Sequence, residues 1–400
     1  MNAGTTLQSR MLELGDSSPS NKRGLLLRLL RAAQPVSRTE IAERLNIDKS
    51  TVTEVVKPLL DTGILREEKL PPAKGQGRRN RTLSFADDNS YFIGVNLGVR
   101  RTQVGMTTLS GQIVEEDDFE TPGTHDIALR KVKRCIDEIR QKNAERRLEA
   151  IGISVPGMTD PERSGLIFAP NLDWHNVEIA KALEQGGIRV VVENDSTAAA
   201  MYEARLKIKD TTDGLLSNFI LVRSGTGIGV GLVIGSEVYR GSGIGRGIAG
   251  EFGHMTIVAG GKKCVCGNRG CWEKYGSAAA AASLYLGDRP LRHNETLPRF
   301  VEIVAKAENG DNRSRRTLEM IGDYLGIGIA NVIMGMGIPR VIVSGRLVYG
   351  WKYIETPLKD AINRSIIGKT GGWSVEPGEP AGAALGGALE VAVEDFLARI

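Results

Sequence analysis

The sequence predicts an α/β protein in two unequal parts: an N-terminal winged helix-turn-helix and a larger α/β domain built from two similar lobes. Three observations predict this. Three short helical periodicities precede a basic hairpin; a strand-and-helix alternation then runs once and restarts; and 49 of the 400 residues are glycine. That glycine content suits a ligand-handling domain, where backbone must turn sharply or approach a ligand closely. A chain of this length also exceeds what one hydrophobic core supports.

Residues 1–20, with Asn2, Thr5, Thr6, Ser17, Ser18 and Ser20 and no periodicity, read as a flexible tail. Over 22–33, Leu25, Leu26, Leu29 and Leu30 recur on one helix face, and Pro35 ends the element. Ser37 with Glu40 is a capping-box signature that opens a second helix running to Leu45. After the turn 46–48, Asp48 caps a third helix that turns Val52, Val55, Val56, Leu59 and Leu60 inward. Pro58 has no N–H to give the Glu54 carbonyl, so a kink is expected there. A strand-like stretch 64–70, a Pro/Gly/basic tip 71–81 and a second strand 82–85 complete a hairpin, the wing. The unit spans 21–86.

Beyond the polar linker Asp87-Asp88-Asn89 lies the α/β domain, 90–400, with lobes at about 90–210 and 215–400. The first lobe has strands 91–97, 103–109 and 112–119, a helix near 126–144, strands 150–155 and 189–193, and a helix from Ser196. Residues 218–223 restart the program. Glycine-rich strands follow to Tyr239, then helices between 277 and 334, a strand 341–344 and a final helix 381–398. Two similar lobes imply a cleft between them. The first twenty residues hold no apolar leader core, and the longest apolar run, 325–338, is glycine-interrupted and short for a bilayer. A cytoplasmic chain with no membrane partner is expected.

The net charge of +4 excludes a general polyanion binder, but its distribution is uneven. Residues 21–85 hold fourteen Lys/Arg against seven Asp/Glu, a local +7, so the rest of the chain is net negative. Helix, short turn, helix and basic hairpin is the arrangement in which the second helix of the motif enters the DNA major groove. The outward residues of that helix are Lys49, Ser50, Thr51, Thr53, Glu54 and Lys57. Hydroxyls and a carboxylate can read base edges, and lysines hold phosphates. Lys74, Arg78, Arg79 and Arg81 of the wing suit the backbone or a narrow minor groove. Double-stranded operator DNA is the expected partner; a protein-contact module with solvated charges is the plainer alternative.

Cys264, Cys266 and Cys271 place three thiols within eight residues, with glycines that let the loop fold back on one ion. His254, ten residues upstream, is the best fourth ligand; Cys135 is remote. Three sulfurs and one nitrogen select Zn²⁺ in a closed, structural site spanning the loop 254–273. Reduced or redox-active cysteines without metal are the alternative.

The segments 151–160 (IGISVPGMTD), Asn171-Leu-Asp-Trp174, Glu193-Asn-Asp195, 224–231 (SGTGIGVG), Glu251-Phe-Gly-His254 and Cys271-Trp-Glu273 closely resemble the ROK family of sugar kinases and sugar-responsive repressors. With the winged helix in front, the chain is similar to the repressor branch of that family, that of the xylose, glucose and N-acetylglucosamine repressors. The resemblance runs from Asn21 onward. It implies an actin-like, sugar-kinase-like architecture with sugar held between the lobes by Asn171, Asn194, Asp195, Glu251, His254 and Glu273, and with His254 serving metal and sugar through different nitrogens. Matched carboxylates and amides suit the paired donors and acceptors of adjacent hydroxyls. It also implies a repressor of carbohydrate-utilisation genes, a homodimer or dimer of dimers, released from its operator by sugar.

In kinases of this family Asp195 would be the general base, glycine loops would cradle ATP phosphates, and an early Asp-x-Gly-x-Thr-like loop would organise phosphate and Mg²⁺. The corresponding loop here reads Asn96-Leu-Gly-Val-Arg-Arg-Thr102. An amide replaces the carboxylate and an arginine crowds the backbone approach, so a sugar binder without kinase activity is expected. The alternatives are an ATP-dependent sugar kinase, possibly bifunctional, and an activator in place of a repressor.

Overall fold

Leucines four apart and a capping serine give the N-terminal unit its helices. The computed structural model describes residues 19–69, 81–86, 89–184, 186–207, 218–242, 247–287 and 296–400. The tail through residue 18 and the wing tip with Lys74, Arg78 and Arg79 lie outside the described residues. Helix α1 (Pro19–Ala33) begins earlier than its leucine periodicity and buries Leu26, Leu27, Leu29 and Leu30, so Leu27 takes the place expected of Leu25. Helix α2 (Arg38–Leu45) is capped by Ser37, whose hydroxyl accepts the Glu40 N–H at 3.1 Å. The capping box is one-sided, because the Glu40 carboxylate turns outward to Arg44 at 2.6 Å. Asn46, in the left-handed region at φ 49°, makes the turn to α3 (Lys49–Asp61). Asp48 stands at that helix start without a side-chain cap bond. The helix continues past Pro58 to Asp61 as one element, since Val52, Val56 and Leu59 are held in the core on both sides of the proline.

A strand not foreseen from the sequence, β1 (Val36–Ser37), pairs with β3 (Arg81–Phe85), which pairs with β2 (Leu65–Lys69), all antiparallel. This three-stranded sheet and three helices make a winged helix. The unit does not hang from a linker. Its leucines, Val52, Leu59 and Phe85 share one core with Phe92, Ala150, Val393, Phe396 and Leu397 of the larger domain.

The first lobe is a five-stranded sheet in the order β11-β7-β4-β5-β6, from β4 (Ser90–Leu97), β5 (Arg101–Thr107), β6 (Ile113–Glu120), β7 (Arg147–Val155) and β11 (Arg189–Asn194). Helix α4 (His125–Lys142) packs its Ala128, Val132, Ile136 and Ile139 on this lobe's core. A small antiparallel sheet of β8 (Met158–Thr159), β9 (Leu166–Ala169) and β10 (Trp174–Val177), with a short helix α5 (Ile179–Ala182), sits at the strand ends. Helix α6 (Asp195–Lys207) follows β11 directly.

The second lobe repeats the plan, with strand order β14-β13-β12-β15-β16 from β12 (Phe219–Ser224), β13 (Ile228–Ile234), β14 (Glu237–Tyr239), β15 (Arg340–Gly345) and β16 (Ser374–Pro377). In both sheets the first strand is central, antiparallel to the next strand in sequence and parallel to the later one. Helices α7 (Glu273–Gly276), α8 (Ala280–Leu286), α9 (Phe300–Glu308), α10 (Asn312–Met336), α11 (Trp351–Asn363) and α12 (Ile366–Thr370) cover it. Among the described residues α10 alone is long and apolar enough to cross a membrane, yet its Leu318, Ile321, Leu325, Ile329 and Ile333 are all in the second lobe's core. Helix α13 (Ala383–Leu397) returns to the first lobe and lies between its sheet and α6.

Candidate functional site

The four expected metal ligands come together. His254 closes a 3₁₀ turn (Glu251–His254), and the loop beyond it brings back Cys264, Cys266 and Cys271, their ligand atoms all within 4.8 Å of one another. His254 Nδ1 lies 3.6 Å from Cys264 Sγ, and Cys266 Sγ lies 3.7 Å from Cys271 Sγ. Tetrahedral bonds of about 2.3 Å to sulfur and about 2.0 Å to nitrogen would set ligand atoms roughly 3.5–3.8 Å apart. The donor set and its spacing therefore fit a tetrahedral metal ion. Cys135 is part of the first lobe's core and takes no share.

The loop carries two cleft residues with it. His254 turns Nδ1 to the cysteines and Nε2 to Glu251, 3.8 Å away. Glu273, at the start of α7 two residues after Cys271, accepts a hydrogen bond from Cys264 Sγ at 3.2 Å through Oε1. Its other oxygen abuts Gly227, where a Cβ would sit 2.4 Å from Oε2, so the glycine leaves room for the carboxylate. Trp272 between them is fully buried, its indole N–H bonded to the Tyr324 carbonyl at 2.9 Å.

A cavity of about 380 Å³ separates the lobes and is lined by all six residues expected to contact sugar. They do not stand alike. Asn194 already spends its amide on the fold: Nδ2 donates to the Gly157 carbonyl at 2.9 Å, and Oδ1 accepts the N–H groups of Ser196 and Thr197, capping α6. Asp195 is paired, with Oδ2 receiving Arg223 at 2.6 Å and Oδ1 receiving the Ser196 hydroxyl. Glu251 is half-buried, and desolvation, reinforced by the Asp195 and Glu273 carboxylates, pushes it up to about 7. Glu251 and Glu273 stand with His254 beside the cysteine loop.

Four arginines also line the cavity, Arg100, Arg101, Arg223 and Arg346, together with Tyr349. Asn96 is buried there, accepting the Ser154 hydroxyl and donating to Gln103. The sequence reading passed over Arg223 and Arg346. The one available signal was an arginine beside each of two strand-end turns, before Ser224-Gly225 and after Gly345.

On the winged helix, Lys49, Ser50, Thr53, Glu54 and Lys57 are exposed along α3 and Thr51 is half-buried. Arg81 is exposed but holds Glu67 at 2.8 Å, a carboxylate that also pairs with Arg38 at 3.0 Å.

Behind this unit a buried ion triad ties it to the cleft. Arg31 of α1 and Arg205 of α6 both grip Glu390 of α13, with side chains only 1%, 12% and 2% exposed, respectively. Arg31 also donates to the Leu109 carbonyl at 2.9 Å. Burial lowers the Arg31 pKa below its ordinary value against the opposing pull of Glu390. Nearby, Arg28 of α1 pairs with Glu394 at 2.8 Å.

Residues 20–72 match the MarR family and residues 92–392 the ROK family. The chain is 30% identical over 353 residues to the xylose repressor of Bacillus subtilis strain 168, covering 87% of this chain and 88% of that protein. Its fold is that of the crystal structure of a ROK family transcriptional regulator homologous to the E. coli MLC protein, with a TM-score of 0.72 at 22% identity over 95% and 96% of the two chains. A ROK family glucokinase from Streptomyces griseus, in complex with glucose and AMPPNP, matches with a TM-score of 0.63 at 28% identity over 76% of this chain and 99% of that one. The lobes, the cleft between them and the cysteine loop that braces it all fall within the matched 92–392, and the chain belongs to the ROK family.

Proposed function

We propose that this chain is a sugar-responsive transcriptional repressor of carbohydrate-utilisation genes, a cytoplasmic homodimer or dimer of dimers. Its winged helix, 21–86, holds operator DNA, and its two-lobed domain, 90–400, releases it when sugar enters the cleft. In this reading Lys49, Ser50, Thr51, Thr53, Glu54 and Lys57 meet the major groove, with Arg78, Arg79 and Arg81 on the wing. Arg81 would trade Glu67 for phosphate. Asn171, Asp195, Glu251, His254 and Glu273 take the sugar hydroxyls, and Asn194 acts by fixing the start of α6. His254, Cys264, Cys266 and Cys271 hold Zn²⁺, which would supply rigidity to the loop that aims His254 and Glu273.

The observation that carries the reading is the path of α6. Asp195, at its start, faces the cleft, and Arg205, near its end, joins Glu390 and so Arg31 of the winged helix. Helix rise makes this a rod of about 20 Å. A ligand that shifts the start of α6 as the lobes close acts on the triad that seats α1, and the spacing of two winged helices on their half-sites changes. A switch from mostly bound to mostly released needs roughly 10⁴-fold preference for one state.

The kinase alternative has less support. Asp195 would have to surrender Arg223 before accepting a hydroxyl proton, and Asn96, bonded to Ser154 and Gln103, offers no carboxylate for Mg²⁺. The test is a DNA-shift titration over a sugar panel with zinc measured on the same sample and ADP release followed in parallel. Loss of the shifted band with sugar supports the reading. DNA binding untouched by every saccharide refutes it.

A further inference from the structure

The winged helix holds two of its arginines on one of its own carboxylates. In the register of β2 and β3, Leu65 faces Phe85, Glu67 faces Leu83 and Lys69 faces Arg81, so these six residues share one face of the sheet. Leu65, Leu83 and Phe85 are buried in the core of the unit, and toward the wing tip the same row turns charged. Glu67 stands at that boundary with 17% of its side chain exposed. One of its oxygens takes Arg38, the first residue of α2, at 3.0 Å, and the other takes Arg81 at 2.8 Å. Glu68, next in the chain, belongs to the opposite face, where it is 63% exposed and pairs with Arg66.

We propose that Glu67 is a specificity-determining residue of the DNA-binding unit, an internal stand-in for phosphate that keeps Arg38 and Arg81 off the backbone of random DNA and yields them when the operator is seated. The proposal rests on the DNA-binding reading and adds to it a residue that touches no base. The first helix of a helix-turn-helix motif crosses the DNA backbone, and a basic wing suits the backbone or a narrow minor groove, so Arg38 and Arg81 stand where phosphates arrive. A carboxylate and a phosphate offer guanidinium the same feature, oxygens that accept its N–H donors, so either one excludes the other. Partly exposed ion pairs add little to stability, yet this competitor is tethered and always present. Random DNA offers phosphates alone. The operator also engages α3 through its base edges, and that added binding drives the exchange of Glu67 for phosphate. Glu67 therefore weakens non-specific binding more than operator binding, and the ratio of the two is what keeps a repressor on its site.

The test is fluorescence anisotropy of the full chain on two duplexes of equal length, an operator selected by the wild-type chain from random sequences and a scrambled version of it, between about 50 and 200 mM salt. Glu67→Gln should bind the scrambled duplex about tenfold tighter, steepen its salt slope there by about 0.9–1.8, the equivalent of one or two phosphates, and gain less than about threefold on the operator. Arg81→Gln in the otherwise native chain should lower the operator slope by about 0.9 and leave the scrambled slope within about 0.3, because Arg81 meets phosphate only in the operator complex. Glu68→Gln adds the same unit of charge nearby and should leave the specificity ratio where it was. The inference is overturned if Glu67→Gln binds the scrambled duplex no tighter, if it gains equally on both duplexes, or if Glu68→Gln does the same. Should Glu67→Gln not fold, an equal fall in both slopes on Arg81→Gln refutes the inference by itself. If the wild-type chain enriches no sequence and binds neither duplex, the DNA-binding reading fails as well, whereas operator binding with an unmoved ratio sinks the role of Glu67 alone.

Discussion

Replacing Glu390 with glutamine should loosen the winged helix from the body of the protein far more than the loss of one surface ion pair would. The substitution keeps the shape but leaves Arg31 and Arg205, 1% and 12% exposed, facing each other without a carboxylate. Neither can escape by losing its proton, since a guanidinium stays charged at any working pH. Removing one partner of a buried pair typically costs about 3–5 kcal/mol, against about 0–1 kcal/mol for an exposed pair. At 1.4 kcal/mol per tenfold, the opening equilibrium of α1 should rise roughly 10²- to 10³-fold or more. Hydrogen exchange of the α1 amides reads this directly, and operator affinity should fall with it. Replacing the whole triad by apolar residues, Arg31→Met, Arg205→Met and Glu390→Leu together, should restore protection, because the desolvation cost then vanishes with the charges. That triple variant should still bind operator, but sugar should release it less well because α6 has lost its grip on α1. A change in α1 protection of less than about threefold on Glu390→Gln would refute the argument.

Other consequences are open to direct measurement. Cys266→Ser should abolish stoichiometric zinc, read by elemental analysis, and weaken sugar binding about tenfold or more, since His254 and Glu273 lose their common brace; full zinc content in this variant would contradict the assigned ligands. Gly328→Ala would put a methyl 2.0 Å from the Trp272 ring, so stability should drop by about 1–3 kcal/mol in denaturant titration, and zinc should leave more readily because Trp272 separates Cys271 from Glu273. Lys57→Ala should lower the slope of log affinity against log salt by about 0.9 if this lysine neutralises one phosphate, whereas Ser50→Ala should alter preference among operator sequences. ADP release should stay at background with every sugar, and Asp195→Asn should not change it; turnover lost in that variant would return the chain to the kinases.

Much of this molecule could be read before any coordinates. Period and punctuation located the three N-terminal helices, the restart at residue 218 announced a second lobe, and three cysteines in eight residues with one upstream histidine singled out a cluster whose four ligand atoms do converge. These features are local: they depend on residues within a turn, a hairpin or a short loop. The misreadings were local as well. Glu40 chose Arg44 over its reciprocal cap because an i+4 partner was available, and Leu27 displaced Leu25 because the inner face of α1 is set by what it packs against.

Periodicity and ligand spacing act over a few residues at a time, so the order of the parts and the chemistry of each were legible in the primary structure. Tertiary structure alone decided which distant groups meet. It set Arg223 on Asp195 across 28 residues, turned Arg100 and Arg346 from different lobes onto one cavity, and buried Arg31 against Glu390 across 359 residues. Such pairings follow from how two sheets and the returning helix α13 stack, and side chains so far apart in the chain carry no mutual signal until a shared core brings them together.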